Sequence, residues 1–88
     1  MFYTYILKSE KSGRTYTGYT NNLRKRLSEY NSGKSAYTKK DKPYLLIYYE
    51  ACLDEDDARS REKYLKSGMG KRYVKNRLKC FLSLTGCI

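Results

Sequence analysis

The sequence predicts a small α+β domain, a three-stranded antiparallel sheet flanked by three helices in the order β-β-α-β-α-α. Three observations carry that reading. Two aromatic and β-branched runs flank a turn-rich stretch near the N-terminus, the pattern of a hairpin. A third run, Tyr44-Leu45-Leu46-Ile47-Tyr48-Tyr49, is continuously apolar or aromatic. Elsewhere apolar residues recur at i, i+4 and i+7, the spacing of one helix face.

Phe2 to Leu7 and Arg14 to Thr20 have the residue types of strands, and Ser9-Glu10-Lys11-Ser12-Gly13 joins them as a turn. Asn21 or Asn22 then caps a helix carrying Leu23, Leu27 and Tyr30, which Asn31-Ser32-Gly33 stops. Gly33 to Pro43 is polar and reads as a basic loop. The apolar run from Tyr44 to Tyr49 reads as a strand covered on both faces, hence the central one between the hairpin strands. Asp54-Glu55-Asp56-Asp57 opens a second helix, because carboxylates satisfy the free N–H groups there and complement the dipole. Gly68 ends it, and Ser67-Gly68-Met69-Gly70 reads as a turn. A third helix follows, with Val74, Leu78 and Phe81 on one stripe and Arg72, Lys75 and Lys79 on another.

With 88 residues the chain is expected to form one domain, 1–88, with one modest core and one site. Nineteen Lys and Arg against nine Asp and Glu give a net charge of +10, which points to a polyanionic partner, nucleic acid before membrane. No apolar run approaches the ~20 residues of a membrane span. The chain is therefore expected to be cytoplasmic. Cys52, Cys80 and Cys87 lack the spacing of a zinc site or a disulfide framework. Histidine is absent while eleven of thirteen aromatics are Tyr, so acid–base chemistry falls to Tyr, Lys, Cys or carboxylate.

Helical spacing isolates two charges. Arg26 lies at the margin of the Leu23, Leu27, Tyr30 stripe, where a guanidinium either snorkels along the core edge or grips a phosphate. Glu62 stands between Ala58 and Leu65 on the stripe of the second helix. A carboxylate there needs a cation: Arg26, Arg61, a lysine or a metal ion. On the hairpin, Gly18 leaves room for a helix or ligand to approach the backbone, or else marks a bulge. Tyr3 and Tyr5 share one strand face, as do Tyr16 and Gly18, with the register between them open.

Tyr3-Thr4-Tyr5, Tyr16-Thr17-Gly18, Asn22-Leu23, Arg26, Tyr30 and Arg61-Glu62-Lys63-Tyr64-Leu65-Lys66, in this order and spacing, resemble the GIY-YIG nuclease superfamily, especially its short single-domain bacterial members. The resemblance covers nearly the whole chain. It implies a metal-dependent endonuclease or nickase acting on DNA rather than RNA, with Tyr5, Tyr16, Arg26, Tyr30 and Glu62 as the catalytic set. Glu62 is then the ligand of one Mg²⁺ or Mn²⁺ ion, Arg26 the phosphate clamp, Tyr16 the base, and Tyr5 and Tyr30 its orienting partners. Tyr3 stands where the motif has Gly, Thr4 and Thr17 replace aliphatic residues, Tyr19 stands where a basic residue is common, and Asn76 is a candidate for the family's late asparagine. Arg24, Lys25, Lys34, Lys39, Lys40, Arg72, Lys75 and Lys79 are the expected nucleic-acid contacts, which hold phosphate without reading bases. Substrate shape or a protein partner then supplies selectivity, and the chain is expected to act as a monomer. A noncatalytic nucleic-acid-binding module explains the charge equally, whereas a ribosome- or membrane-associated accessory protein leaves Glu62 unexplained.

Overall fold

Side chains on both faces of the first strand are covered, and this decides the sheet. The computed structural model describes residues 1–33 and 39–84. In it β1 (Phe2–Ser9) pairs antiparallel with β2 (Thr15–Thr20) on one side and β3 (Tyr44–Cys52) on the other, giving the order β2-β1-β3. The hairpin is as expected. The central strand is not the apolar Tyr44–Tyr49 run but β1, whose residues Thr4 to Ser9 are all buried. Two of its polar side chains hid that position because their partners are distant in sequence: Thr4 Oγ1 donates to the Ala58 carbonyl at 2.9 Å, and Ser9 Oγ to the Asp41 carbonyl at 2.5 Å. β3 lies at an edge, with Leu45 and Tyr49 exposed. A register shift between Ile6 and Leu7 places a bulge opposite them, so apolar residues of β3 serve both faces despite the edge position.

Register sorts the faces. Tyr5 pairs with Gly18 and Tyr49, and Leu7 with Tyr16 and Leu46, so these six point the same way. α1 (Leu23–Ser32) covers that face, packing Leu23, Leu27 and Tyr30 against Tyr5, Leu7 and Tyr44. Asn22 caps it by accepting from the Lys25 N–H, and Gly33 ends it at φ +73°, a left-handed conformation that favours glycine. α2 (Glu55–Lys66) covers the opposite face, buries Ala58 and Leu65, and starts at Asp54, whose carboxylate accepts from the Asp56 N–H.

The expected turn at Ser67–Gly70 is a helix start. Ser67 closes α2 and caps α3 (Gly68–Arg77) at once, its Oγ donating to the Tyr64 carbonyl and accepting from the Gly70 N–H. The expected third helix therefore begins earlier, and it breaks at Leu78 before a short α4 (Lys79–Leu84). Gly70 is required where α3 leaves α2, because a Cβ there would lie 2.0 Å from the Tyr64 carbonyl oxygen, whereas one at Gly68 would meet nothing within 4 Å. Among the described residues no helix is long and apolar enough to cross a membrane. Gly70→Ala is expected to cost about 1–3 kcal/mol, the usual range for overpacking, and Gly68→Ala to be neutral or slightly stabilising. Urea unfolding of the two variants checks this, and equal midpoints would contradict the close packing of α3 on α2.

Candidate active site

A ring with no slack organises the first functional residues. Tyr5 is 1% exposed, and a Cβ on its cross-strand partner Gly18 would lie 2.4 Å from the Tyr5 hydroxyl and 2.7 Å from its ring. Gly18 therefore admits neither a helix nor a ligand but the Tyr5 side chain. Arg26 Nε donates to the Tyr5 hydroxyl at 3.1 Å, and its guanidinium lies 5.6 Å from the centre of the Tyr30 ring. Burial, with Tyr30 adding to it and Arg26 opposing, pushes the Tyr5 hydroxyl up to about 12, so it stays protonated. The Arg26 side chain is 49% exposed, and its Nη1 reaches Glu29 at 3.4 Å. Its inner edge is fixed while much of the guanidinium faces solvent.

Tyr16 sits beside this group. Tyr16, Tyr30 and Tyr44 form a triangle of edge-to-face rings with centroid separations of 5.3–6.4 Å, and Tyr30 also meets Tyr5 at 6.4 Å. The Tyr16 hydroxyl donates to Asp41 Oδ2 at 2.5 Å. That carboxylate is the largest cause of a pKa raised well above the ordinary tyrosine value, with burial and Tyr44 adding to it. Asp41 is correspondingly held below the usual carboxylate range, chiefly by the Tyr16 hydrogen bond. Arg26 and Tyr16 thus meet different partners, and Asp41, burial and Tyr44 all act on Tyr16 in the raising direction.

Glu62 stands on α2, across the sheet from the Tyr5 ring, and pairs with Lys66 at 3.1 Å. The other cations open to it in the sequence go elsewhere. Arg26 binds Tyr5, and Arg61 Nε binds both Glu50 oxygens at 2.9 and 3.0 Å, with its guanidinium 4.9 Å from the Tyr64 and Tyr73 rings. β2 is an edge strand, however, and one open groove runs round it, lined by Tyr16 and Tyr30 and by Lys66, the partner of Glu62. Lys8, Arg14, Lys71, Arg72 and Lys75 supply further positive charge to that groove.

Four of the five expected site residues, Tyr5, Tyr16, Arg26 and Tyr30, are thus brought together, whereas Glu62 stands apart from them on α2. The model of the GIY-YIG catalytic domain matches residues 1–77. The chain belongs to the GIY-YIG family. Among similar proteins are UPF0213 proteins of short GIY-YIG type. One from Clostridium perfringens is 46% identical over 67 residues, covering 75% of this chain and 71% of the relative. The UPF0213 protein in ldhD 5'region of Pediococcus acidilactici is 41% identical over 81 residues, covering 85% and 82%, and one from Staphylococcus haemolyticus 41% over 66 residues, covering 74% and 79%. No solved structure matches the chain.

GIY-YIG proteins are a nuclease family that generally uses divalent metal ions. Among the described residues no three His, Cys, Asp or Glu side chains gather into a metal cluster. A lone carboxylate still fits a Mg²⁺-type ion, which binds through one or two carboxylates, water and substrate phosphates. Lys66 is 57% exposed, so an ion held by Glu62 would compete with a solvent-facing partner.

Arg24, Lys25, Lys39, Lys40, Arg72, Lys75 and Lys79 are all exposed, and Lys34 lies outside the described residues, as does Cys87. Tyr19 accepts from Arg59 Nε at 3.2 Å, so a neighbouring helix supplies the cation missing at that position. Asn76 is exposed on α3 among Arg72, Lys75 and Lys79. Asp41 was not foreseen. Its signal was present, since it is the one acid between Glu29 and Glu50, inside the basic run Lys39-Lys40-Asp41-Lys42.

Gly18→Ala is expected to cost about 1–3 kcal/mol through the clash with Tyr5. Adding Tyr5→Phe, which removes the atom 2.4 Å away, should recover part of that loss. A double-mutant cycle by thermal unfolding measures this, and simple additivity would contradict the fit.

Proposed function

We propose that this chain is a metal-dependent endonuclease or nickase that hydrolyses phosphodiester bonds in DNA, selecting by substrate shape rather than base sequence. The observation that carries the reading is Arg26, half exposed, with its Nε held by a protonated Tyr5 hydroxyl beside Tyr16 and Tyr30. Such a guanidinium presents donors to phosphate oxygens and stabilises the negative charge that grows as water attacks. Tyr16 takes the proton of the attacking water, and Tyr5 and Tyr30 hold the aromatic cluster and Arg26 in register. Glu62 would hold the divalent ion, Mg²⁺ or Mn²⁺, which when bound supplies Lewis-acid stabilisation of phosphate oxygens and acidifies bound water. The basic groove round β2 gives a polynucleotide a path from Tyr16 and Tyr30 to Lys66, the partner of Glu62. Its lysines and arginines contact phosphate without reading bases.

A second reading, a nucleic-acid-binding module with an inactive site, is favoured by one observation, the raised pKa of Tyr16. A phenol that holds its proton more tightly than usual is a poor base by itself. Cleavage separates the two. Supercoiled and branched DNA incubated with Mg²⁺ or Mn²⁺ should be nicked, EDTA should abolish the nicks, and Arg26→Ala should slow them by about 10²–10³-fold, as removal of a charge-stabilising donor does. Glu62→Gln should remove the metal response. Salt-sensitive binding without cleavage under either metal supports the inactive module, and nicking that survives Glu62→Gln and Tyr16→Phe contradicts the site.

A further inference from the structure

β3 is an edge strand with the residues of a central one. Its nine residues, Tyr44–Cys52, include neither Lys nor Pro, the types that ordinarily blunt an edge against further pairing. Its one charged residue, Glu50, is taken up by Arg61 Nε and by the Tyr48 hydroxyl, each at 2.9 Å. Two features protect part of the edge: the bulge opposite Ile6 and Leu7, and the Asn31 amide, which binds both the N–H and the carbonyl of Tyr44. The rest is open. The bulge lets β3 carry apolar residues on both faces within one chain, but it leaves Leu45 exposed on one face and Tyr49, at 52%, on the other, with Leu53 beyond them at 82%. Tyr49 is steadied by an edge-to-face contact with Tyr3 at 6.0 Å.

The charges on either side of the strand decide what fits there. The chain has nineteen Lys and Arg, yet none falls from Pro43 to Ala58, a stretch that holds five of the nine acids. Self-repulsion is therefore least at this edge. Lys39, Lys40 and Lys42 stand immediately before β3, and Asp54, Glu55, Asp56 and Asp57 immediately after it, all exposed. When a strand pairs antiparallel with its own copy about its middle, the residues that precede it in one chain lie beside those that follow it in the other. Each basic run then meets an acidic run, at both ends of the pairing.

We propose that the β3 edge is a self-association surface, on which a second copy of this chain pairs antiparallel through its own β3. The product is a two-fold symmetric dimer, in place of the monomer expected from the sequence, with one continuous sheet ordered β2-β1-β3-β3-β1-β2. Tyr49 lies close to the axis, so the two Tyr49 rings meet across it. The axis stands perpendicular to the sheet, and α1 of both copies covers the same face. The two β2 edges remain at the outer ends, roughly 24 Å apart at about 4.8 Å per strand. No residue of β3 lines the groove round β2, so each copy keeps its candidate site open. The pairing does not rest on the hydrolase reading and holds whether or not the chain cleaves DNA.

Sedimentation equilibrium of the full chain without nucleic acid tests the proposal. The mass should rise with concentration to twice the 10.4 kDa of one chain, and added salt should weaken the association. Tyr49→Lys alters an exposed side chain and sets like charges against each other near the axis. It should raise the dissociation constant by about 10–100-fold, the range for losing a central interface aromatic, while circular dichroism shows the fold retained. Reversing the acidic run with Asp56→Lys and Asp57→Lys, or the basic run with Lys39→Glu and Lys40→Glu, should abolish self-association of either variant, and mixing the two should restore a dimer with one copy of each. A one-chain mass at every concentration overturns the proposal, as does growth beyond two chains. A dimer that Tyr49→Lys and the reversed runs leave unchanged forms through another surface and overturns it too, and mixed variants that stay monomeric overturn the antiparallel arrangement.

Discussion

The Tyr5 ring lies against the α-carbon of Gly18, and the site depends on that fit. β1 is buried on both faces, so the ring cannot swing away, and its hydroxyl emerges where Arg26 Nε can donate to it. One missing Cβ on β2 thus sets the inner edge of a guanidinium on α1. Tyr30 fills the angle between them, and Tyr16 and Tyr44 continue the row of edge-to-face rings to the far end of the helix. Burial keeps Tyr5 protonated and neutral, so it orients Arg26 without cancelling the charge that a phosphate would meet.

Much of this was legible in the sequence because it follows from local chemistry. Asn22, Gly33 and Asp54 announce helix ends through side-chain oxygens and a left-handed turn, and the structure uses each that way. The GIY-YIG motifs named four residues that do converge. What escaped depended on long-range pairing. Thr4 and Ser9 look like solvent-facing strand positions until Ala58 and Asp41, more than thirty residues away, accept their hydroxyl protons. Tyr44–Tyr49 looks central because both its faces are apolar, and only the bulge opposite Ile6 and Leu7 explains how an edge strand carries such a sequence. Ser67-Gly68-Met69-Gly70 looks like a turn because glycine there signals flexibility, whereas Gly70 serves close helix contact instead.

The same distinction governs the charges. Glu62 was singled out because a carboxylate on an apolar stripe is costly, but pattern alone could not choose among its cations. The structure gives it Lys66, more exposed than Arg26 or Arg61, and commits those two to other bonds. A carboxylate so lightly held is open to a stronger cation. Asp41 is the reverse case, an acid lost in a basic run whose only sequence signal was its solitude, yet held by buried Ser9 against the one tyrosine that the proposed chemistry needs as a base.

The account's central claim is that one phosphodiester, lying round the β2 edge, is met by Arg26 and Tyr16 from one face of the sheet and by a metal-bearing Glu62 from the other. A crystal structure of the Tyr16→Phe variant with duplex DNA and Mn²⁺ tests it most directly. The account predicts an anomalous manganese peak at the Glu62 carboxylate, with Lys66 displaced and a backbone phosphate in contact with both the ion and the Arg26 guanidinium. DNA lying on another surface, or manganese bound away from Glu62 with Arg26 free of phosphate, would contradict it.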